Sequence, residues 1–473
     1  MSANDQRKDC SKFCPLPWIM GAVRNNGDIR SCAQANSSKS RGVYRKKDGS
    51  AYNINTDSLE ESRNSDLVKE MRSQMLAGIS PESCIRCDQE EQSGIFSRRL
   101  YQQKFTKDFF TESDAKKVTS SNGTINTSTL PLKYLDLRFG NKCNTKCRMC
   151  GPTDSDLWYK DHVELWSHSV YSDNDSQVQL VLDDKNRWVP EVNIYNWVES
   201  DQFWQNVESN MKGLIYIHTV GGEPLLIDRQ FDLLEKCISL GIAKNITLEY
   251  NTNGTIIPAR ALKYWEEFEQ VKIGLSIDGI GEVNDYIRHP SRFDNIERNI
   301  DLLDKSSANL ILWFAFTVQA YNILHIPEVL KWIIKKDFKK FGSDLNVPFI
   351  SGHPLHNPKH LSVKVFDEKS KDKIANEMRS FYTWIEEYLS ENTVDSEKSL
   401  AWKKSSRKII EGYIDFMFSE DYSENFTKFW AVTKRLDRMR GESFEKTFPK
   451  LYKFIEPNIA SLGIRDLEDP SGL

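Results

Sequence analysis

The run Cys143-Asn144-Thr145-Lys146-Cys147-Arg148-Met149-Cys150 brings three thiols onto one short segment of a 473-residue chain. Three thiolates from a single loop can each bind one iron of a cubane cluster and leave the fourth iron without a protein ligand, where a closed electron-transfer cluster uses four cysteines. Zinc is the alternative occupant, but it prefers four ligands, commonly from paired CxxC knuckles, so both count and spacing favour iron. The other cysteines cluster as well. Of nine in the chain, Cys10, Cys14, Cys32, Cys84 and Cys87 precede the run and Cys237 alone follows it. Clustering of this kind points to metal or redox chemistry more than to a disulfide framework.

Around the cysteine run the chain reads as alternating strands and helices. Strands are expected at 132–138, 214–219, 246–251, 272–277 and 310–318, with a weaker sixth at 345–350, and helical patterns fall at 231–240, 261–268 and 295–304. Repeated strand–helix units predict an α/β fold with a parallel sheet and right-handed crossovers, either open or bent into a barrel. Residues 151–213 interrupt that rhythm with an insertion carrying Trp158, Trp166, Trp188, Trp197 and Trp204, suited either to covering a site or to forming its own small core. Residues 106–130 are rich in Ser, Thr and Asn and read as a linker. Three regions are therefore expected: 1–130, which is cysteine-rich; 131–350, the strand–helix region; and 351–473, which is mostly helical.

Charge and hydropathy exclude some classes of partner. The formal net charge is -4, so no global positive field attracts nucleic acid or an acidic membrane. Two basic clusters, Lys403, Lys404, Arg407 and Lys408, and Lys434, Arg435, Arg438 and Arg440, sit among acidic residues and read as solvated helix faces. The first eight residues are polar, without the apolar stretch of a signal peptide, and the longest apolar run, 310–316, is too short to cross a bilayer. The expectation is a soluble, cytoplasmic protein.

Further motifs fall at the ends of the expected strands. Gly221-Gly222-Glu223-Pro224 follows the second, Asn251-Thr252-Asn253-Gly254 ends the third, Ser276-Ile277-Asp278-Gly279 ends the fourth, and Tyr286-Ile287-Arg288 comes soon after. Alone each is weak, since NG and DG pairs are ordinary turn chemistry. In β/α barrels, however, catalytic residues gather at the C-terminal ends of the strands, where all of these motifs lie. Asp136 and Arg138, two apart on the first strand, share one face and suit either substrate contact or a buried ion pair.

The spacing Cys143-x3-Cys147-x2-Cys150 after the first strand, together with GGEP, resembles the radical S-adenosylmethionine (SAM) superfamily. The resemblance implies a partial (β/α)6 barrel and a [4Fe–4S] cluster on Cys143, Cys147 and Cys150. In that family the open iron binds the amino and carboxylate groups of SAM, and reductive cleavage gives methionine and a 5'-deoxyadenosyl radical. It further implies SAM contacts from Met149 beside adenine, from Gly221, Gly222, Glu223 and Pro224 around the ammonium, and from Asn253, Ser276 and Asp278 near the ribose. Arg288 is implied at the carboxylate, and Gln319 is a weaker candidate.

At the N-terminus, apolar residues 18–23, a turn at 25–28 and a return through 29–32 read as a β-hairpin that brings Cys14 and Cys32 together, with the pair Cys84 and Cys87 following. Four thiolates suit a closed [4Fe–4S] cluster or zinc equally well on chemistry alone. The FCPLPW start, the hairpin and the SPESCIRCDQEEQSG tail resemble a twitch domain, the shortened relative of the SPASM domain, which implies a second, auxiliary [4Fe–4S] cluster on Cys14, Cys32, Cys84 and Cys87. Cys10 is a spare thiol near this set, and Cys237, inside a helical pattern, reads as a buried small hydrophobe.

The combined resemblance implies hydrogen abstraction from a peptide or protein substrate, with a flavodoxin or ferredoxin as electron donor. A radical SAM oxidoreductase or mutase acting on a small molecule is the alternative within the family. A zinc-stapled scaffold is the alternative outside it.

Overall fold

A computed structural model describes residues 12–92, 97–171, 177–342, 350–394 and 396–462. Cys10 lies outside the described residues. So does all but the last residue of the expected sixth strand.

The chain builds one eight-stranded sheet and one three-stranded sheet among the described residues. The large sheet uses β1 (Met20–Val23), β2 (Ile29–Arg30), β3 (Tyr134–Arg138), and, beyond the small sheet, β7 (Tyr216–Val220), β8 (Thr247–Thr252), β9 (Gln270–Leu275), β10 (Leu310–Val318) and β11 (Ile350–Pro354). The small antiparallel sheet is β4 (Ser169–Tyr171), β5 (Gln177–Leu182) and β6 (Trp188–Pro190). The order of the large sheet is β11-β10-β9-β8-β7-β3-β1-β2, with every neighbouring pair from β11 to β1 parallel. The strand–helix repeat thus delivers the expected parallel sheet.

Parallel strands covered on both faces normally read as continuous apolar runs. Here β3 (YLDLR), β7 (YIHTV) and β8 (TLEYNT) alternate instead. Leu135, Leu137, Ile217, Leu248, Ile273 and Leu312 join the principal hydrophobic core on the helix-covered face. The opposite face carries Asp136, His218 and Glu249 side by side in register on β3, β7 and β8. A period of two across neighbouring strands therefore gives this sheet one apolar face and one polar face.

The N-terminal region extends the sheet of the strand–helix region. β1 pairs with β3 in parallel, Ala22 opposite Asp136, so the sheet runs unbroken across the expected boundary near residue 130. The hairpin forms, with Gly27 at φ +85° in its turn, but Trp18 and Ile19, expected in the strand, belong to a helical turn, Leu16–Ile19, that has Pro17 in its opening positions. The stretch read as a linker contains a helix, Glu112–Val118, whose Thr111 and Asp114 form a reciprocal capping box, and it buries Phe110, Ala115 and Ile125. Its polar composition reflects capping and turns at the surface of a packed segment.

A buried arginine ties this region together. Arg72 donates to the carbonyls of Pro17, Arg63 and Gly123, while Arg63 donates to those of Trp18 and Leu130. The insertion divides its tryptophans. Trp197 joins the principal core, Trp188 packs in a small cluster with Tyr159, Val170 and Leu180, and Trp158 and Trp166 pack against Val432 and Leu436 of the C-terminal helix Phe426–Arg440. Arg440, expected on a solvated face, is buried against Asp161 at 2.9 Å because the insertion covers that side of the helix. Cys237 is fully buried in the principal core, as its helical pattern suggests. No helix among the described residues is long and apolar enough to cross a membrane.

Arg72→Ala strands three buried carbonyls, and the expected cost is about 2–4 kcal/mol. Urea unfolding should show it as a lowered midpoint with early proteolysis before residue 130. An unchanged midpoint would mean that these bonds do not hold the N-terminal region.

Candidate active site

The segment Cys143–Cys150 leaves the C-terminal end of β3 and is held by backbone contacts on two sides. The GG pair docks against its start: Gly222 N–H donates to Gly140 O and Glu223 N–H to Lys142 O. A Cβ on Gly222 would lie 2.1 Å from Lys142 O, and Gly221 has φ +130°, so neither position accommodates a side chain. On the other side, Lys146 N–H donates to His289 O and Arg148 N–H to Ile287 O. Cys143 N–H donates to Asp156, and the Trp158 indole donates to Cys147 O.

Arg148 anchors the loop from within. Its side chain is fully buried, paired at 2.6 Å with both Asp437 and Glu442, and its guanidinium lies 3.6 Å from the centre of the Tyr286 ring. The Tyr286 hydroxyl donates to Asp437, and His289 pairs with Glu442 at 2.7 Å. Burial disfavours the charged guanidinium, but Tyr286, Tyr321 and the two carboxylates raise its pKa above the ordinary value. Asp437 and Glu442 escape sequence reasoning because they sit 289 and 294 residues downstream in sequence that reads as an ordinary charged helix end.

The three thiols are not equivalent. Cys147 is buried; a hydrogen bond from Cys150 in first place, and then the charge of Arg288, lower its pKa, while that of Cys150 rises. Thr145 Oγ stands 3.4 Å from Cys143 Sγ and 3.5 Å from Cys147 Sγ. Burial pushes the Cys143 thiol up to about 11. Arg288 lies 3.7 Å from Cys147 Sγ and 2.7 Å from Asp278. Burial raises the Asp278 carboxyl against the opposing effect of that arginine. The structure therefore brings Cys143, Cys147, Cys150, Arg288 and Asp278 together, with Arg288 and Asp278 engaging each other.

Glu223 is buried, and its pKa is pushed up to about 7 by burial. Its carboxylate accepts bonds from Leu225 N–H, Thr252 Oγ1–H and Asn253 N–H, so it joins the GGEP turn to the end of β8. Asn253 donates to Asn144 and lies 4.0 Å from Cys143 Sγ, which adds it to the group. Pro224 opens a short 3-10 turn behind Glu223. Ser276 donates its backbone N–H to Thr252 O, and Met149 is half-buried against the principal core. Gln319 is fully buried and donates to Thr317 O.

The second cysteine set also converges. Burial, then Cys84, Cys32 and Cys87, raise the Cys14 pKa; burial and its neighbours Cys32 and Glu90 push Cys87 up to about 11. Such mutual influence means that the four sulfurs share one neighbourhood. Among the described residues, no three Cys, His, Asp or Glu side chains are arranged to hold a single metal ion. Tetrahedral zinc needs its sulfurs packed around one ion at about 2.3 Å. In both sets, thiols that are protonated at neutral pH must lose protons to bind a metal.

Residues 137–333 match the family model of the radical SAM superfamily. They form a radical SAM domain. Such a domain implies a four-iron cluster and SAM. No curated protein matches the chain. Among solved structures, native anSMEcpe with bound AdoMet is 23% identical over 56% of this chain and 63% of its own, with a TM-score of 0.34. SuiB of Streptococcus suis bound to precursor peptide SuiA is 12% identical over 68% of this chain and 63% of its own, with a TM-score of 0.30. The chain spans less than two thirds of either structure's length, and likeness at this level does not bear on function.

Removing the Arg148 side chain leaves two buried carboxylates uncompensated. Arg148→Ala is expected to cost about 3–5 kcal/mol. Arg148→Lys should recover little of it, because an ammonium cannot bond both carboxylates in a fork and stack on Tyr286 at once. Urea midpoints of the two variants check this, and a lysine variant of native stability would contradict it.

Proposed function

We propose that the chain is a cytoplasmic radical SAM enzyme that removes a hydrogen atom from a peptide or protein substrate. The observation that carries this reading is the set of three inequivalent thiols on one anchored loop inside the radical SAM domain. Cys143, Cys147 and Cys150 would hold the SAM-binding [4Fe–4S] cluster, and Cys14, Cys32, Cys84 and Cys87 an auxiliary one. When bound, the cluster and SAM together supply the 5'-deoxyadenosyl radical.

The protein's own residues bind and orient. Arg288 offers a cation beside Cys147 for the SAM carboxylate, with Asp278 fixing its direction. Glu223 holds the GGEP turn against β8 and presents the glycine backbone to the cofactor. Asn253, Ser276 and Met149 complete the cofactor side.

The substrate side is the polar face of the sheet. Asp136, His218 and Glu249 form a row, with His218 3.5 Å from Asp136 and 3.8 Å from Glu249. His218 Nε2 also meets Asn251 at 3.1 Å. Arg98, from the N-terminal helix Arg98–Thr106, donates to the Tyr134 hydroxyl and stands 3.9 Å from Asp136. Phe105 of the same helix packs edge-on to Tyr216, so this helix covers the polar face where the strands begin. A substrate would meet the strand ends nearest the cysteine loop. Burial works against the Asp136 charge, but His218, Arg138 and Arg98 hold its carboxyl below the ordinary range. Beyond His218 at 3.5 Å and Arg98 at 3.9 Å, the Asp136 oxygens have room for a further donor. A substrate amide N–H or hydroxyl would supply the donor. A small-molecule substrate is the second reading, favoured by the depth of this row, since Asp136 is 1% and His218 6% exposed.

The test is anaerobic reconstitution with iron and sulfide, followed by assay for 5'-deoxyadenosine from SAM and dithionite. About eight irons per chain are expected for two four-iron clusters, with product abolished in the combined variant Cys143→Ala, Cys147→Ala, Cys150→Ala. Bound zinc without iron, and no product from the native chain, would sink the radical SAM reading.

A further inference from the structure

On the outer side of the cysteine loop an open cleft of about 470 Å³ separates the insertion from the C-terminal region. Cys150 lies in its lining, between Trp158 and Trp166 of the insertion and the residues Lys359 and Lys428 across from them. The other two thiols of the loop do not line it. Cys147 faces Arg288, and Cys143 faces Thr145 and Asn253. Cys150 is thus the member of the triad that lines this cleft.

The lining contains no carboxylate. The charge of Arg148 at its floor is consumed by Asp437 and Glu442. Lys359 and Lys428 are held by aromatic faces, with Lys359 4.8 Å from the centre of the Tyr422 ring and Lys428 5.3 Å from that of Trp166. Neither ammonium has a carboxylate within ion-pairing distance among the described residues, although Lys359 acts on the Glu420 carboxylate from further away. Glu164, on the helix before Trp166, is occupied by Lys160 at 3.8 Å. In a chain of net charge -4 this is a local positive cleft leading to one cluster sulfur. A partner that fits it is negative, carries an electron and needs only a brief encounter.

We propose that this cleft is the docking site of an acidic one-electron carrier protein, and that electrons reach the SAM-binding cluster through Cys150. The proposal rests on the reading of the triad as cluster ligands. In each encounter the carrier is oxidised by one electron and the four-iron cluster is reduced by the same electron. No bond is made or broken at the cleft. Lys359 and Lys428 steer and hold the partner. The aromatic walls give its face a flat apolar contact.

The experiment compares the reconstituted native chain with the double variant Lys359→Glu, Lys428→Glu, using reduced flavodoxin as the probe and dithionite as the control reductant. Flavodoxin binding is measured separately by isothermal titration at low ionic strength. Charge reversal is expected to weaken flavodoxin binding and to slow flavodoxin-driven 5'-deoxyadenosine formation by about tenfold or more. Dithionite-driven formation should remain at the native rate, because a small reductant needs no docking surface. The milder Lys359→Ala, Lys428→Ala variant should show a smaller loss in the same direction, and added salt should slow the native flavodoxin-driven rate alone. Flavodoxin binding and rate left at native values in both variants would overturn the docking site while dithionite activity kept the radical SAM reading intact. A native chain inactive with dithionite as well would overturn that reading, and this proposal with it.

Discussion

The guanidinium of Arg148, buried between Asp437, Glu442 and the ring of Tyr286, is the contact on which the candidate site depends. Burying one charge this deeply is unfavourable unless its partners are close and well directed. Meeting that condition draws three distant parts of the chain to one point: the cysteine loop after β3, the helix Glu282–Ile287 and the end of the C-terminal helix Phe426–Arg440. The loop then hangs from a rigid support. Its sulfurs are presented in two directions, toward Arg288 inside and, through Cys150, toward the cleft outside.

How far a linear sequence reveals such a site depends on the range of the interactions. Strand alternation is local, so the parallel sheet was legible from 132–138 onward. So were the thiol triad and the strand-end motifs, because each is a short run whose chemistry does not depend on distant partners. The partners of Arg148 were not legible, since a carboxylate near a helix end looks alike whether it is solvated or paired with a buried cation. Arg440 reads as solvated for the same reason, although its side chain is buried. Only the packing of the insertion against that helix decides its environment.

The polar face shows a middle case. Asp136 and Arg138 stood out as alternating charges on the first strand, but His218 and Glu249 acquire meaning only through register, which aligns them with Asp136 across β7 and β8. The cysteines of the N-terminal region suggest a separate unit, yet β1 continues the sheet and Arg98 reaches Asp136. Pairing between strands more than 100 residues apart is set by backbone hydrogen bonding and shared burial. Composition carries no trace of it.

The central claim is that the loop thiols hold a cluster whose fourth iron is left for SAM. The direct measurement is electron–nuclear double resonance on the reduced, reconstituted full chain, with SAM labelled at its amino nitrogen. The account predicts a hyperfine coupling between that nitrogen and the cluster spin, lost when Cys143, Cys147 and Cys150 are replaced by alanine. A reduced cluster whose spectrum is indifferent to SAM would contradict it.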